Sequence, residues 1–443
     1  MNRRRFLKYA GATAAVVGAS VLGLNYASRK EILSNRTVTT QSTTTTSSKL
    51  ELPPFAKFQS RPQFIIPTDE QAIQFINLSW DADGDPLTYE WLIDNRPVGT
   101  QKDFSTKLPV GLHLVQLNVS NGTRKSTATN IVTVEPDQIY PISDLMIPLK
   151  GICYSPGFTL TGTPRLSEEQ IDEEMDTISN ELRCNAVRIF SNWDDSLLKC
   201  GQIALRKPFT CIALAPRYID STVDETAQKL AEFAKKAQAL REISNNVQLW
   251  IGNELTIDAR GIRKGATYNE RAAAKDPPNL EGVLNDSLRD LVSAAKRSFS
   301  GRISYSAGFW EPVDWGQLDV DIIGSNEYFW PKRDSIYEKI AALKSFGKPV
   351  YITEFGSSTF KSACQWGGGG FFHYNGEPYD EDAQASCIQN YLKIFDPTRP
   401  DGCFLWEYKE NDAQFMGIVT PPETGTSKRK KGFYMYKSYQ RTS

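Results

Sequence analysis

From Leu149 to the C-terminus the chain repeats one pattern, a short apolar run of strand type followed by a longer amphipathic helical stretch. The runs are "LKGICYS", "AVRIFSN", "TCIALAPRY", "VQLWIGNE", "ISYSAGF", "VDIIGSNEYF", "PVYITEFG" and "CFLWEYKEN". Between them lie segments such as "LSEEQIDEEMDTISNEL" and "DETAQKLAEFAKKAQALREI". Strands this apolar need cover on both faces, which a parallel sheet under a helical layer supplies. Eight such strands in roughly 300 residues are the count and size of a (β/α)8 TIM barrel. An open, doubly wound sheet is the competing architecture. It lacks support, because no G-x-G-x-x-G follows the first run and no Walker loop occurs anywhere. The expected fold is therefore α/β, with the barrel over residues 146–443. A hydrophobic content of 40%, with 11% aromatic residues, is enough for a core of that size.

In such a barrel the chemistry sits at the C-terminal ends of the strands. The fourth run ends in Asn253 and Glu254, and the seventh carries Glu354 at the equivalent height. A carboxylate beside an apolar strand needs a partner or a task, since burying an unpaired charge is costly. Either glutamate alone reads equally as an ion-pair partner or a helix cap. Two at matching heights on different strands fit glycoside hydrolysis. There, one carboxylic acid protonates the leaving oxygen and a second carboxylate acts at the anomeric carbon.

"WIGNE" and "PVYITEFG" resemble the two most recognisable segments of glycoside hydrolase clan A, and the resemblance runs from about Lys150 to the C-terminus. It implies a retaining glycosidase acting on β-linked oligo- or polysaccharides, with Glu254 as acid/base and Glu354 as nucleophile. By the same resemblance Asn253 bonds the sugar 2-hydroxyl, Arg188 in "AVRIF" holds the nucleophile ionised, and Tyr328 donates to it. Trp406 in "FLWEY" floors the sugar subsite. The chain departs from the pattern at Asn326, where several families have His two residues before the tyrosine, and no Asn-Glu follows strand one.

Glu327, in a second Asn-Glu pair, reads as a rim group or substrate contact. Glu311 and Glu407 follow aromatic residues at strand ends and are further candidates for the cleft. Trp310, Trp330 and Trp366 read either as sugar-stacking surfaces or as packing. "CQWGGGGFFHYNG", Cys364 to Gly376, is either a loop folded over the cleft or a surface insertion. The rival function is a surface carbohydrate-binding or adhesion protein whose barrel no longer turns over.

The first 145 residues carry different signals. "NRRRFLKYAGATAAVVGASVLGL" resembles a twin-arginine export signal, with Asn2 where Ser or Thr is usual. It implies an extracytoplasmic protein over residues 1–28, cleaved or held at the membrane. Residues 29–54 include "TVTTQSTTTTSSKLELPP", which has no apolar period and reads as a flexible stalk. Residues 55–137 hold short β-rich runs between turns, the spacing of a small sandwich. There "SWDADGDPLTYEW" resembles the PKD repeat, an immunoglobulin-like domain, and only Ala82 departs from its core motif. Asp81, Asp83 and Asp85 read as turn formers, since Pro86 and Leu92 stand where an EF-type calcium loop needs Gly and Glu. No metal or cofactor is expected, with two His and no C-x-x-C pair. A formal net charge of −1 gives no reason to expect a nucleic-acid partner; carbohydrate is the expected one. Seven Cys leave at least one unpaired within the chain, and the sequence specifies no pairing.

Overall fold

The computed structural model describes residues 53–61, 72–109, 111–134, 143–145, 147–160, 162–330, 335–373, 376–411, 414–420 and 428–441. The signal-like segment and nearly all of the stalk lie outside them.

Among the described residues the N-terminal unit has seven strands. They are β1 (Phe58–Arg61), β2 (Ile73–Asn77), β3 (Thr88–Ile93), β4 (Arg96–Gly99), β5 (Phe104–Thr106), β6 (Gly111–Ser120) and β7 (Lys125–Val134). They form a three-stranded sheet, β1-β2-β5, and a four-stranded sheet, β4-β3-β6-β7. Alternate residues of both sheets, among them Ile73, Phe75, Trp91, Val115, Leu117 and Val132, make one buried core. The unit is thus an all-β sandwich. Trp91 is its centre, fully buried against Phe58, Phe75 and Phe104, with its indole N–H donated to the Gln101 carbonyl at 2.9 Å. Asp81 accepts the amides of Asp83 and Asp85 at 2.9 and 3.2 Å and the Asn121 side chain at 3.1 Å, the bonding of a turn former.

Among the described residues the second unit includes Ser143–Leu145. There β8 (Ser143–Leu145) pairs in parallel with Tyr439–Arg441 at the other end of the chain. The eight runs form β9 (Leu149–Tyr154), β10 (Ala186–Ser191), β11 (Cys211–Pro216) and β12 (Val247–Asn253), then β13 (Ile303–Gly308), β14 (Ile322–Asn326), β15 (Val350–Phe355) and β16 (Gly402–Leu405). Each pairs in parallel with the next, and β16 pairs with β9, closing the barrel.

The helices are α1 (Glu168–Asp176), α2 (Asp194–Ala204), α3 (Val223–Ile243), α4 (Leu255–Asp258), α5 (Tyr268–Ala272), α6 (Leu280–Lys296), α7 (Ile336–Lys344), α8 (Glu381–Thr398) and α9 (Lys431–Ser438). The longest, α3, starts with a capping box between Thr222 and Glu225. Its buried Leu230, Phe233, Ala234, Ala237 and Leu240 follow the helical period. That stripe covers the outward residues of the strands. In β10, Val187 and Ile189 join the outer core, whereas Ala186 and Phe190 belong to the cluster inside the barrel. Lys150 closes the opposite end, its buried ammonium donating to the carbonyls of Leu182 and Tyr439 at 2.8 and 2.5 Å. Among the described residues no helix is long and apolar enough to cross a membrane.

Candidate active site

Strand parity alone does not bring the two glutamates inward. In β15, Val350 and Ile352 face the helices and Tyr351 faces the interior, so residue 354 falls on the outward parity. A register shift corrects this: Ser325 pairs with Ile352 but Asn326 pairs with Glu354, skipping Thr353. Thr353 and Glu354 then both turn inward, Thr353 Oγ1 donating to Asn326 Oδ1 at 2.7 Å and Glu354 entering the cleft. In β12, Val247, Leu249 and Ile251 face outward, and a second shift between Trp250 and Asn253 brings Asn253 into the cleft. Extra residues of this kind are how sheets re-aim side chains beside functional sites.

Glu254 follows in the left-handed region, at φ 40° and ψ 55°, as the residue ahead of α4. For a residue with a Cβ this costs on the order of 1 kcal/mol or more, so the surroundings must impose it. Its N–H donates to the Ser306 carbonyl at 2.9 Å. The next amides, of Leu255 and Thr256, go to the Tyr305 hydroxyl at 2.8 Å and Glu311 Oε1 at 2.9 Å. Tyr305 in turn donates to Glu311 Oε2 at 2.6 Å. Glu311 is therefore a brace beneath the Glu254 turn, not a cleft residue.

One hydrogen-bonded network joins the two glutamates. Arg188 is fully buried and donates from Nη1 to Glu354 Oε1 and from Nη2 to Asn253 Oδ1, both at 2.7 Å. The Tyr328 hydroxyl donates to Glu354 Oε2 at 3.0 Å. Burial and the charge of Glu354 push that phenol well above its ordinary pKa, so it remains a donor. Asn326 Nδ2 donates to Asn253 Oδ1 at 3.2 Å and to Glu254 Oε1 at 3.0 Å. With two donors on its oxygen, the Asn253 amide is oriented and its NH2 group is left for a ligand.

The two carboxyls sit in unlike fields. Glu354 has a guanidinium and a phenol against it. Glu254 has neither, and burial first, then the charge of Glu354, push it up to about 8. Near neutral pH Glu254 is thus protonated beside a charge-compensated Glu354, one group able to give a proton and the other an electron pair.

Both line a cleft of about 360 Å³ at the strand tips, with Asn253, Tyr328, Trp406 and Trp310. Trp406 stacks on Phe190 at 4.6 Å, and its indole N–H donates to Gln414 at 3.2 Å. Phe309 touches both Trp310, at 5.0 Å between centroids, and Trp330, at 6.1 Å, making a continuous aromatic wall. The glycine run lies against it. Gly368 and Gly369 line the cleft, and a Cβ on Gly369 would meet the Trp330 ring at 2.4 Å. Gly367, at φ 43°, is likewise backed onto Tyr328. A second hollow, of about 460 Å³ along α6, lies away from the strand tips and carries surface ion pairs such as Lys296–Asp319.

No family model matches the chain, and neither does any curated protein. Solved structures similar to it include a Faecalibacterium prausnitzii beta-glucuronidase at 14% identity and TM-score 0.45, over 87% of this chain and 65% of that one. A putative beta-galactosidase from Bacteroides fragilis is similar at 15% identity and TM-score 0.42, over 87% and 60%. A GH113 beta-1,4-mannanase is similar at 12% identity and TM-score 0.43, over 67% of this chain and 98% of that one. This chain spans between half and two thirds of the length of the first two beta-glucuronidases. The barrel itself rests on its own closed strand order.

Three further expectations need correction. Glu327 is not on the rim: it is fully buried, accepts from Ser325 Oγ at 2.6 Å, and its N–H donates to the Glu354 carbonyl at 2.8 Å. It supports the strand under the cleft instead of facing substrate. Trp366 does not line the cleft but packs edge-on against Trp330 at 5.8 Å. Glu407 is buried beside Asn411, and burial pushes its carboxyl to about 8. The sequence reading also passed over Arg217, Arg263 and Tyr268, which line the cleft. Arg217 was legible, being the first residue past β11.

The glycine segment is tethered. Cys364 and Cys387 form a disulfide across 23 residues, joining it to α8; among the described residues the other five Cys are buried and free. A crosslink closing such a loop contributes about 3 kcal/mol. Reduction, or the Cys364→Ser/Cys387→Ser variant, should therefore lower the thermal unfolding midpoint by several degrees. An unchanged midpoint with and without reductant would show that the tether contributes nothing.

Proposed function

We propose that the chain is an exported retaining glycoside hydrolase that cleaves β-linked oligo- or polysaccharides by double displacement. One observation carries this: two inward glutamates share a network yet differ in electrostatic surroundings, Glu354 paired with Arg188 and Tyr328, Glu254 pushed up to about 8. A barrel that only binds sugar needs no such division. In the first step Glu254 gives its proton to the leaving oxygen while Glu354 attacks the anomeric carbon. In the second, ionised Glu254 takes a proton from water, which displaces Glu354. Asn253 offers its NH2 to a hydroxyl of the reacting sugar, Trp406 lies beneath that sugar, and the Phe309–Trp310–Trp330 wall receives further units. Export rests on the "NRRRFLK" segment.

Two displacements at one carbon retain configuration. Proton NMR of the earliest product should therefore show the substrate's own anomer. An inverted first product would exclude Glu354 as nucleophile.

A further inference from the structure

The side of the cleft built by the segments after β11 and β12 carries polar groups that this reaction does not use. Arg217 donates through Nε and Nη2 to the two oxygens of Asp258 at 2.9 and 2.7 Å. Arg263 is held by one oxygen of Asp276, Oδ1, which accepts from Nε at 2.7 Å and lies 2.5 Å from Nη2. In each guanidinium the third nitrogen, Nη1, has no acceptor among the described residues, and neither Nη1 is a buried orphan. Both side chains line the cleft, so these N–H groups are available to what enters it. The Tyr268 hydroxyl lines the same wall, also without a partner among the described residues.

These donors are built in, not draped over the surface. Arg217 is 5% exposed and lies over the Phe158 ring at 5.3 Å, and the Arg263 side chain is 9% exposed. Their counter-ions are unequal. Asp258 is buried with Arg217, whereas the Asp276 side chain is half exposed and water screens it. Opposite them, Glu354 is compensated by Arg188, and Glu254 carries no charge while it waits as an acid. One wall of the cleft is therefore rich in fixed guanidinium N–H donors, and of their two counter-ions only Asp258 is buried with its partner.

We infer that this wall receives an acidic group of the substrate, a carboxylate or sulfate ester carried on a sugar next to the bond being cleaved. Guanidinium edges suit such oxyanions, giving charge-assisted hydrogen bonds about twice as strong as neutral ones. The inference rests on the hydrolase reading for the place of the bond, and its test separates the two.

Hyaluronan oligosaccharides and their carboxyl-reduced partners supply the carboxylate pair; carrageenan oligosaccharides and their desulfated partners supply the sulfate pair. Calorimetry on Glu354→Gln, which binds without turnover, should show the acidic member of one pair bound at least about 10-fold more tightly, the scale of one charge-assisted bond. Arg263→Gln in that background should bring the ratio towards 1. Arg217→Lys should do the same while keeping a cation against Asp258, so that folding is preserved. Equal binding of acidic and neutral partners, or binding of neither, overturns the inference. Preferential acidic binding without hydrolysis by the unmodified chain would uphold it and sink the hydrolase reading. Hydrolysis confined to neutral partners would do the reverse.

Discussion

Replacing Glu354 with glutamine should reduce kcat on every substrate by roughly 10⁴- to 10⁶-fold, the scale seen when a covalent nucleophile is removed. Glutamine keeps the size of the side chain and an oxygen for Arg188, but its amide is a poor nucleophile. The loss should not depend on the leaving group, because no glycosyl-enzyme forms at all. The variant also leaves the fully buried Arg188 without a compensating charge, its acceptors then being neutral oxygens: the glutamine amide, Asn253 Oδ1 at 2.7 Å and the Thr353 carbonyl at 3.2 Å. Breaking a buried pair in this way costs about 3 to 5 kcal/mol. Thermal unfolding should therefore fall together with activity, and circular dichroism at a temperature well below the new midpoint separates the two effects. A folded Glu354→Gln protein that retains turnover would remove this residue from the chemistry.

The barrel was legible because its strands are apolar on both faces and its helices on one. Those two patterns alternate from Leu149 onward, broken by the absence, among the described residues, of a helix between β13 and β14, and β9 to β16 coincide with the eight apolar runs. The tips were legible too, since a carboxylate at the end of an apolar strand stands out. What the pattern conceals is direction. A period of two sends residue 354 outward, and only the skipped pairing of Thr353 turns it in. Such a shift depends on the neighbouring strands, so one strand's own residues do not reveal it. For the same reason Glu327, one place past Asn326, reads as a rim group although the fold buries it completely. Asn326 registered only as a departure from a family pattern, yet it holds Glu254 and Asn253 together at 3.0 and 3.2 Å. The disulfide was out of reach because seven Cys admit many pairings, and only the fold brings Cys364 and Cys387 within 5.6 Å between Cα atoms.

The proton donor should behave differently from the nucleophile. A carboxyl raised to about 8 by burial and by Glu354 is protonated at neutral pH and loses its proton as pH passes that value. On a substrate with a poor leaving group, kcat/KM should therefore fall tenfold per pH unit above about 8. Folding stability should show the same group from the other side. Its folded pKa exceeds the unfolded one, so its contribution declines as pH rises between about 4.5 and about 8, and Glu254→Gln should unfold later than the unmodified chain at pH 8 but not at pH 4. Glu254→Ala should lose about 10²- to 10⁴-fold on natural glycosides, the usual worth of general acid catalysis. On a dinitrophenyl glycoside, whose leaving group needs no proton, the first step should survive. The reaction should then stall at the Glu354 ester, because water lacks its base. Azide needs no base, so adding it should restore turnover and release a glycosyl azide of retained configuration. If azide instead gives an inverted azide with Glu254→Ala and a retained azide with Glu354→Ala, the two roles are exchanged between the strands.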